Sequence, residues 1–218
     1  MSRQLGDMHS IITALWMLGY VAREKSKYVV ARTLAQESLQ LARSTKNMPG
    51  INYSLETLAV VALDQGNYQE ARILIEESLE FCRQVGDIWE TARSLWLLAL
   101  ALLFQGDIAQ AHKLLEESLD LSREINDKRS IAYALGMLGY VAYFQGQQER
   151  MYTLLEEALA SHREAGNRRG CAESLHGLGW ATLAQGDAAR AQALFEESAA
   201  ILKVLDRRWF LALALDGL

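Results

Sequence analysis

The sequence predicts an all-α solenoid of antiparallel helix pairs, on three observations. A Gln-Gly turn recurs at a fixed spacing, as Gln65-Gly66-Asn67, Gln105-Gly106-Asp107, Gln145-Gly146-Gln147 and Gln185-Gly186-Asp187, with a glycine-free copy at Lys25-Ser26-Lys27. A period of about 40 residues marks stacked units that cannot bury an apolar face alone. Between the turns, apolar residues return at spacings of three and four, the period of a helix face. Only Pro49 interrupts the 218 residues with a ring, so long helices and short turns are expected.

The first element of each unit is helix A. Its apolar columns are Leu15, Leu55, Leu95, Leu135, Leu175 and Leu18, Leu58, Leu98, Leu138, Leu178. A small column, Gly19, Ala59, Ala99, Gly139, Gly179, predicts close approach of a second helix. The glycine turn ends helix A in a left-handed position, and Asn67, Asp107 or Asp187 is placed to cap helix B. Helix B then buries Ala31, Ala71, Ala111, Met151, Ala191 and, one turn on, Ala35, Ile75, Leu115, Leu155, Phe195. A second small column, Ser38, Ser78, Ser118, Ala158, Ser198, lies beside them. Gly86-Asp87, Asn126-Asp127 and Gly166-Asn167 return the chain to the next helix A, and Pro49 falls at a first helical turn, where proline is tolerated.

This phase divides the chain into repeats 8–47, 48–87, 88–127, 128–167 and 168–206. Partial helices are expected at 1–6 and 207–218, because Arg3-Gln4-Leu5-Gly6-Asp7 matches Arg83-Gln84-Val85-Gly86-Asp87 and the last residues match the middle of a helix A. A fragment of a longer array is the expectation, with the apolar Trp209-Phe210-Leu211-Ala212-Leu213 offering end-to-end self-association.

A net charge of −5 and a pI near 5.5 argue against nucleic acid as a direct partner. No run of about 18 apolar residues is present to span a bilayer, and the polar N-terminus lacks the apolar segment of a signal peptide. Cys82 and Cys171 occupy different repeat positions, which excludes a disulfide framework and suits a reduced cytoplasmic setting. The sequence has no phosphate loop, no nucleophile elbow and no metal-ligand spacing among His9, His112, His162 and His176. Glutamate pairs such as Glu76-Glu77 and Glu156-Glu157 recur with the repeat, as a solvated face does. The column Arg3, Arg43, Arg83, Arg123, Arg163, Lys203 complements helix dipoles; the alternative, a phosphate-binding ridge, is opposed by Glu80, Asp120 and Glu124 beside it. No enzyme, cofactor or metal is expected.

These columns resemble the tetratricopeptide repeat: Leu135, Leu138-Gly139 and Ala142 in helix A, the turn glycines, and Ala191, Phe195 and Ser198 in helix B. The unit is about 40 residues long where the family's is about 34. The family's terminating proline is also absent. The resemblance implies a right-handed superhelix whose concave side is lined by helix A. The long form of the repeat also looks like the sensor arrays of large bacterial signalling ATPases, the maltose-activator and LuxR-like regulators of the STAND type.

Transferring the family's groove positions selects a small part of the chain that holds more than half of its Trp, Tyr and Phe. Trp16, Tyr20, Tyr53, Arg93, Trp96, Tyr133, Tyr140, Tyr143, His176 and Trp180 are the implied ligand or partner groove. Rigid rings with polar tips are what a recognition surface uses. The column Tyr20, Val60, Leu100, Tyr140, Trp180 is also expected to pack between adjacent A helices, with Phe104 and Phe144 as core. Groove charges are mixed (Arg23, Glu24, Glu56, Asp64, Arg93, Glu173), which disfavours capture of an acidic peptide terminus. The expected function is a non-catalytic interaction or sensing module of a larger cytoplasmic, bacterial signalling or transcription regulator, holding a partner helix, a peptide or a small effector molecule. The alternative is a spacer or self-association scaffold without a dedicated ligand.

Overall fold

A computed structural model describes residues 2–204, with side chains from Asp7 onward. The Trp209–Leu213 stretch on which end-to-end association rests lies outside these residues, as does the partial helix at 207–218. Ten helices are described: α1 Ser2–Glu24, α2 Tyr28–Thr45, α3 Met48–Asp64, α4 Tyr68–Val85, α5 Ile88–Gln105, α6 Ile108–Glu124, α7 Lys128–Phe144, α8 Gln148–Glu164, α9 Arg168–Ala184 and α10 Ala188–Val204. No strand occurs among the described residues. Odd-numbered helices are the A helices of the repeat and even-numbered ones the B helices.

The chain forms two compact units, Met1–Asp107 with α1–α5 and Ile108–Leu218 with α6–α10. Within each, consecutive helices pack antiparallel. A helices also touch the next A helix, α1 on α3 and α3 on α5 in the first unit, α7 on α9 in the second. The turn expected at Gly6-Asp7 is absent: α1 runs through both residues, because the few residues before Asp7 are too short for a separate helix.

The core follows the columns. Leu55, Leu95, Leu135 and Leu175 are buried, as are Ala31, Ala71, Ala111, Met151 and Ala191. The small column permits the predicted contact: a Cβ on Gly139 would stand 3.0 Å from Leu155, and one on Gly179 would stand 2.5 Å from the Phe195 ring. Serines of helix B bond across to helix A: Ser38 Oγ donates to the Ile12 carbonyl at 3.0 Å and Ser198 Oγ to the Ala172 carbonyl at 2.7 Å. Two members of the basic column form rungs between successive B helices, Arg43 with Glu77 and Arg163 with Glu197.

Caps are concentrated at the turns into A helices. Asn47, Asp87 and Asn167 accept from the backbone N–H of Gly50, Glu90 and Gly170, and Asp127 from that of Arg129. Asn67, expected to cap α4, makes no side-chain cap bond; its φ of −84° and ψ of 61° fall outside the extended region typical of an N-cap. At the end of α2 the left-handed position is held by Lys46, with φ 53°. A Cβ there costs about 1–2 kcal/mol, partly offset by the chain entropy glycine adds. Lys46→Gly is therefore expected to stabilise the first unit by about 0.5–1 kcal/mol, seen as a higher denaturation midpoint at unchanged m-value.

Candidate functional site

In the first unit, α1, α3 and α5 bring together Trp16, Tyr53, Glu56, Thr57, Val60 and Arg93 around a cleft of about 80 Å³. Trp16 and Tyr53 stack with ring centroids 4.7 Å apart and planes at 26°. Arg93 crosses from α5 to pair with Glu56 on α3, has the Glu90 carboxylate at 3.8 Å, and lies over the Trp89 ring at 5.3 Å. Glu56 is buried, and desolvation pushes its pKa up to about 7 against the pull of Arg93. Burial, with the Glu90 carboxylate nearby, also raises the Tyr53 phenol. At the other end of the same helices, Arg23 holds Asp64 through Nε at 2.7 Å and Glu24 at 2.8 Å. Three of the expected groove charges are thus engaged with one another, one guanidinium with two carboxylates. Trp96 is half-buried on α5, and Tyr20 is exposed on α1.

In the second unit, the Tyr133 ring of α7 meets the His162 ring of α8 edge-on, centroids 5.0 Å apart. The Asn167 side-chain amide lies 3.2 Å from Tyr133 Oη and 3.1 Å from His162 Nδ1, while its oxygen caps α9. Burial, aided by Arg129, pulls the His162 pKa down to about 4, so the ring is neutral near pH 7. Gly170 leaves room for that ring, since a Cβ would stand 2.3 Å from it. Farther along α9, the Trp180 indole N–H donates to His176 Nε2 at 3.2 Å, and both rings rest on Phe195, at 5.5 and 5.6 Å. Tyr140 is half-buried, its phenol pushed up to about 12 by burial and by Glu173. Tyr143 stands exposed at the end of α7, edge-to-face with Phe144 at 5.6 Å.

Of the expected groove residues, the first unit gathers Trp16, Tyr53 and Arg93 in one cleft, and the second pairs His176 with Trp180. Tyr133 belongs to the His162 cluster. Two packing expectations are corrected. Phe104 and Phe144 are not core: they are 59% and 58% exposed, at the last turns of α5 and α7. Phe104 covers itself by stacking on Tyr68 at 4.8 Å. Tyr20 and Trp180, expected to pack between A helices, are likewise exposed.

Sequence reasoning missed Asn52, Glu90 and His162. The available signal was a break in a column. Asn52 stands among Ile12, Ala92, Ala132 and Ala172, and Glu90 among Ser10, Gly50, Ser130 and Gly170. Among the described residues, no group of three His, Cys, Asp or Glu is arranged to hold a metal ion. The clefts offer ring faces, buried carboxylates and a guanidinium, the means of recognition by stacking and charge.

The profile of the family described as Tetratricopeptide repeat matches residues 51–124 and 130–203. No curated protein sequence matches the chain. Among solved structures, the Rap conjugation gene regulator of plasmid pLS20, in complex with the Phr* peptide, is similar with a TM-score of 0.84 and 14% identity over 98% of this chain and 59% of that one. A Rap protein complexed with Competence and Sporulation Factor has a TM-score of 0.82 and 13% identity over 96% of this chain and 60% of its own. BtubC (BKLC) from P. vanneervenii has a TM-score of 0.68 and 17% identity over 94% and 92% of the two chains. At such identities the likeness is one of fold, and this chain spans about three fifths of either Rap protein.

Proposed function

The chain belongs to the tetratricopeptide repeat family, and on that premise we propose that it is a non-catalytic module holding a peptide or partner helix against the aromatic faces of its A helices. The observation that carries this reading is the Trp16–Tyr53 stack beside the Arg93–Glu56 ion pair. Stacked rings supply a rigid wall at little entropic cost, and a guanidinium shared between two carboxylates can turn toward a peptide carbonyl or carboxylate. Support comes also from the Rap regulator of similar fold, solved with the Phr* peptide bound. The module would serve a larger bacterial signalling or transcription regulator, a reading drawn from the style of the repeat. Two free, buried cysteines and the absence of any described helix long and apolar enough to cross a membrane are consistent with a cytoplasmic setting.

The test is a peptide selected from a random display library on the full chain, its Kd measured by calorimetry. Trp16→Ala is expected to weaken binding 10- to 100-fold, about 1.4–2.8 kcal/mol, with an unchanged helical circular dichroism spectrum. Wild-type affinity in both Trp16→Ala and Tyr143→Ala would remove the A-helix faces as the site.

A further inference from the structure

The first unit contains a second cleft, of about 300 Å³, where the start of α3, the end of α4 and the start of α5 meet. Met48, Phe81 and Val85 wall it, and Asn52, Cys82 and Glu90 supply its buried polar lining. Two of those polar residues break the repeat. Residues that stacking requires return in every unit, whereas a buried polar side chain that appears once answers to something else.

Ser78 shows how local the departure is. Ser38 and Ser198 donate to the backbone carbonyls of Ile12 and Ala172, 26 residues earlier. Ser78 donates instead to the side-chain oxygen of Asn52, also 26 residues earlier, and Cys82 Sγ donates to that same oxygen at 3.3 Å. The Asn52 side chain, its oxygen held by Ser78 and Cys82, lines the same cleft as Glu90 and Tyr53, and burial raises the Glu90 pKa against the pull of Arg93, Tyr53 and Asn52.

Glu90 is 6% exposed, and no Lys, Arg or His lines the cleft. The cation facing it, Arg93, sits 3.8 Å away and also pairs with Glu56. Two buried carboxylates therefore share one guanidinium, and the Asp87 carboxylate at the rim adds a further negative charge. A desolvated acidic floor beneath apolar walls is complementary to a compact organic cation. At the volume a liquid water occupies, about 30 Å³, the cleft holds roughly ten non-hydrogen atoms.

We infer that this cleft binds a small primary ammonium compound, its charged end on Glu90 and Asp87 and its apolar body against Phe81, Met48 and Val85. The site shares Tyr53 with the Trp16 cleft, but its acidic floor and apolar wall are residues that the Trp16 cleft lacks.

The probe is 2-phenylethylammonium, with 2-phenylethanol as its uncharged counterpart, titrated into the full chain and followed by calorimetry and amide NMR. Saturable binding of the amine is expected, with shifts at the amides of Asn52, Cys82 and Glu90 and at least tenfold weaker binding of the alcohol. Glu90→Gln should weaken the amine tenfold or more. Val85→Arg places a cation at the exposed rim without touching the buried network, and should do the same in a protein that folds as wild type. Trp16→Ala should leave amine binding unchanged. The proposal fails if the amine does not bind, if the alcohol binds equally, if Val85→Arg binds as wild type, or if the shifts map to Trp16 and Val60.

Discussion

Phe195→Ala is expected to destabilise the second unit by about 3–5 kcal/mol, the range for a fully buried ring cut to a methyl. Phe195 is 1% exposed on α10, at the position held by Ala35, Ile75 and Leu155 elsewhere. Gly179 faces it without a side chain, so α9 already approaches as closely as a backbone can. A void left by the ring has little to close on, and His176 and Trp180 lose the surface they rest upon. The loss should appear as hydrogen exchange concentrated in α9 and α10, because stacked repeats need not unfold as one transition. The chain also supplies a compensating pair. Gly179→Ala with Phe195→Ile reproduces Ala59 and Ile75 of the first unit. The double variant should be more stable than the sum of its single variants by about 1–3 kcal/mol, the coupling expected of residues in contact.

The two units should respond to pH in opposite directions. Glu56 has its folded pKa raised to about 7 from 4.5, so the folded state binds the extra proton between those values. Its contribution to stability is present below about pH 4.5 and is lost as pH rises through 7. His162 has its folded pKa lowered to about 4 from 6.5. Its contribution is present above pH 6.5 and is lost as pH falls through 4. Each shift links to at most about 3 kcal/mol. Amide exchange at pH 5 and pH 8, corrected for intrinsic rates, should show α3 and α5 loosening at the higher pH and α7–α9 at the lower. Glu56→Gln and His162→Phe should each flatten the profile of their own unit alone. A profile that steepens in either variant would mean the wrong group had been assigned.

The helices were legible because stacking makes the same demand in every repeat. A column such as Leu55, Leu95, Leu135 and Leu175 is therefore an alignment carried within one chain. Tyr53 and Arg93 share a column, and Trp16 lies three positions along the same helix face, so the repeat brings these residues to one side of the A helices. Reading by column also hid what occurs once. Asn52, Glu90 and His162 register as exceptions to a pattern, and their partners lie on other helices. Nor could spacing show that Arg23 and Asp64, 41 residues apart, would neutralise each other. The apolar character of Phe104 and Phe144 did not reveal that both rings stand exposed at the last turns of α5 and α7. The likeness to ATPase-linked regulators rested on repeat style, and the structural relatives extend only to shared fold.

The bond from Ser38 to the Ile12 carbonyl, repeated from Ser198 to Ala172, spans a fixed 26 residues. A helix B displaced by one turn would shift its hydroxyl by about 5.4 Å along the neighbouring helix. That hydroxyl would lie in a dry interface without its acceptor, at a cost of about 1–3 kcal/mol. Leucines alone tolerate such slippage, because one apolar ridge fits several grooves. The serines act as index marks between helices. A designer lengthening this array would have to keep each new hydroxyl on its counterpart as well as match the apolar volumes across each helix pair.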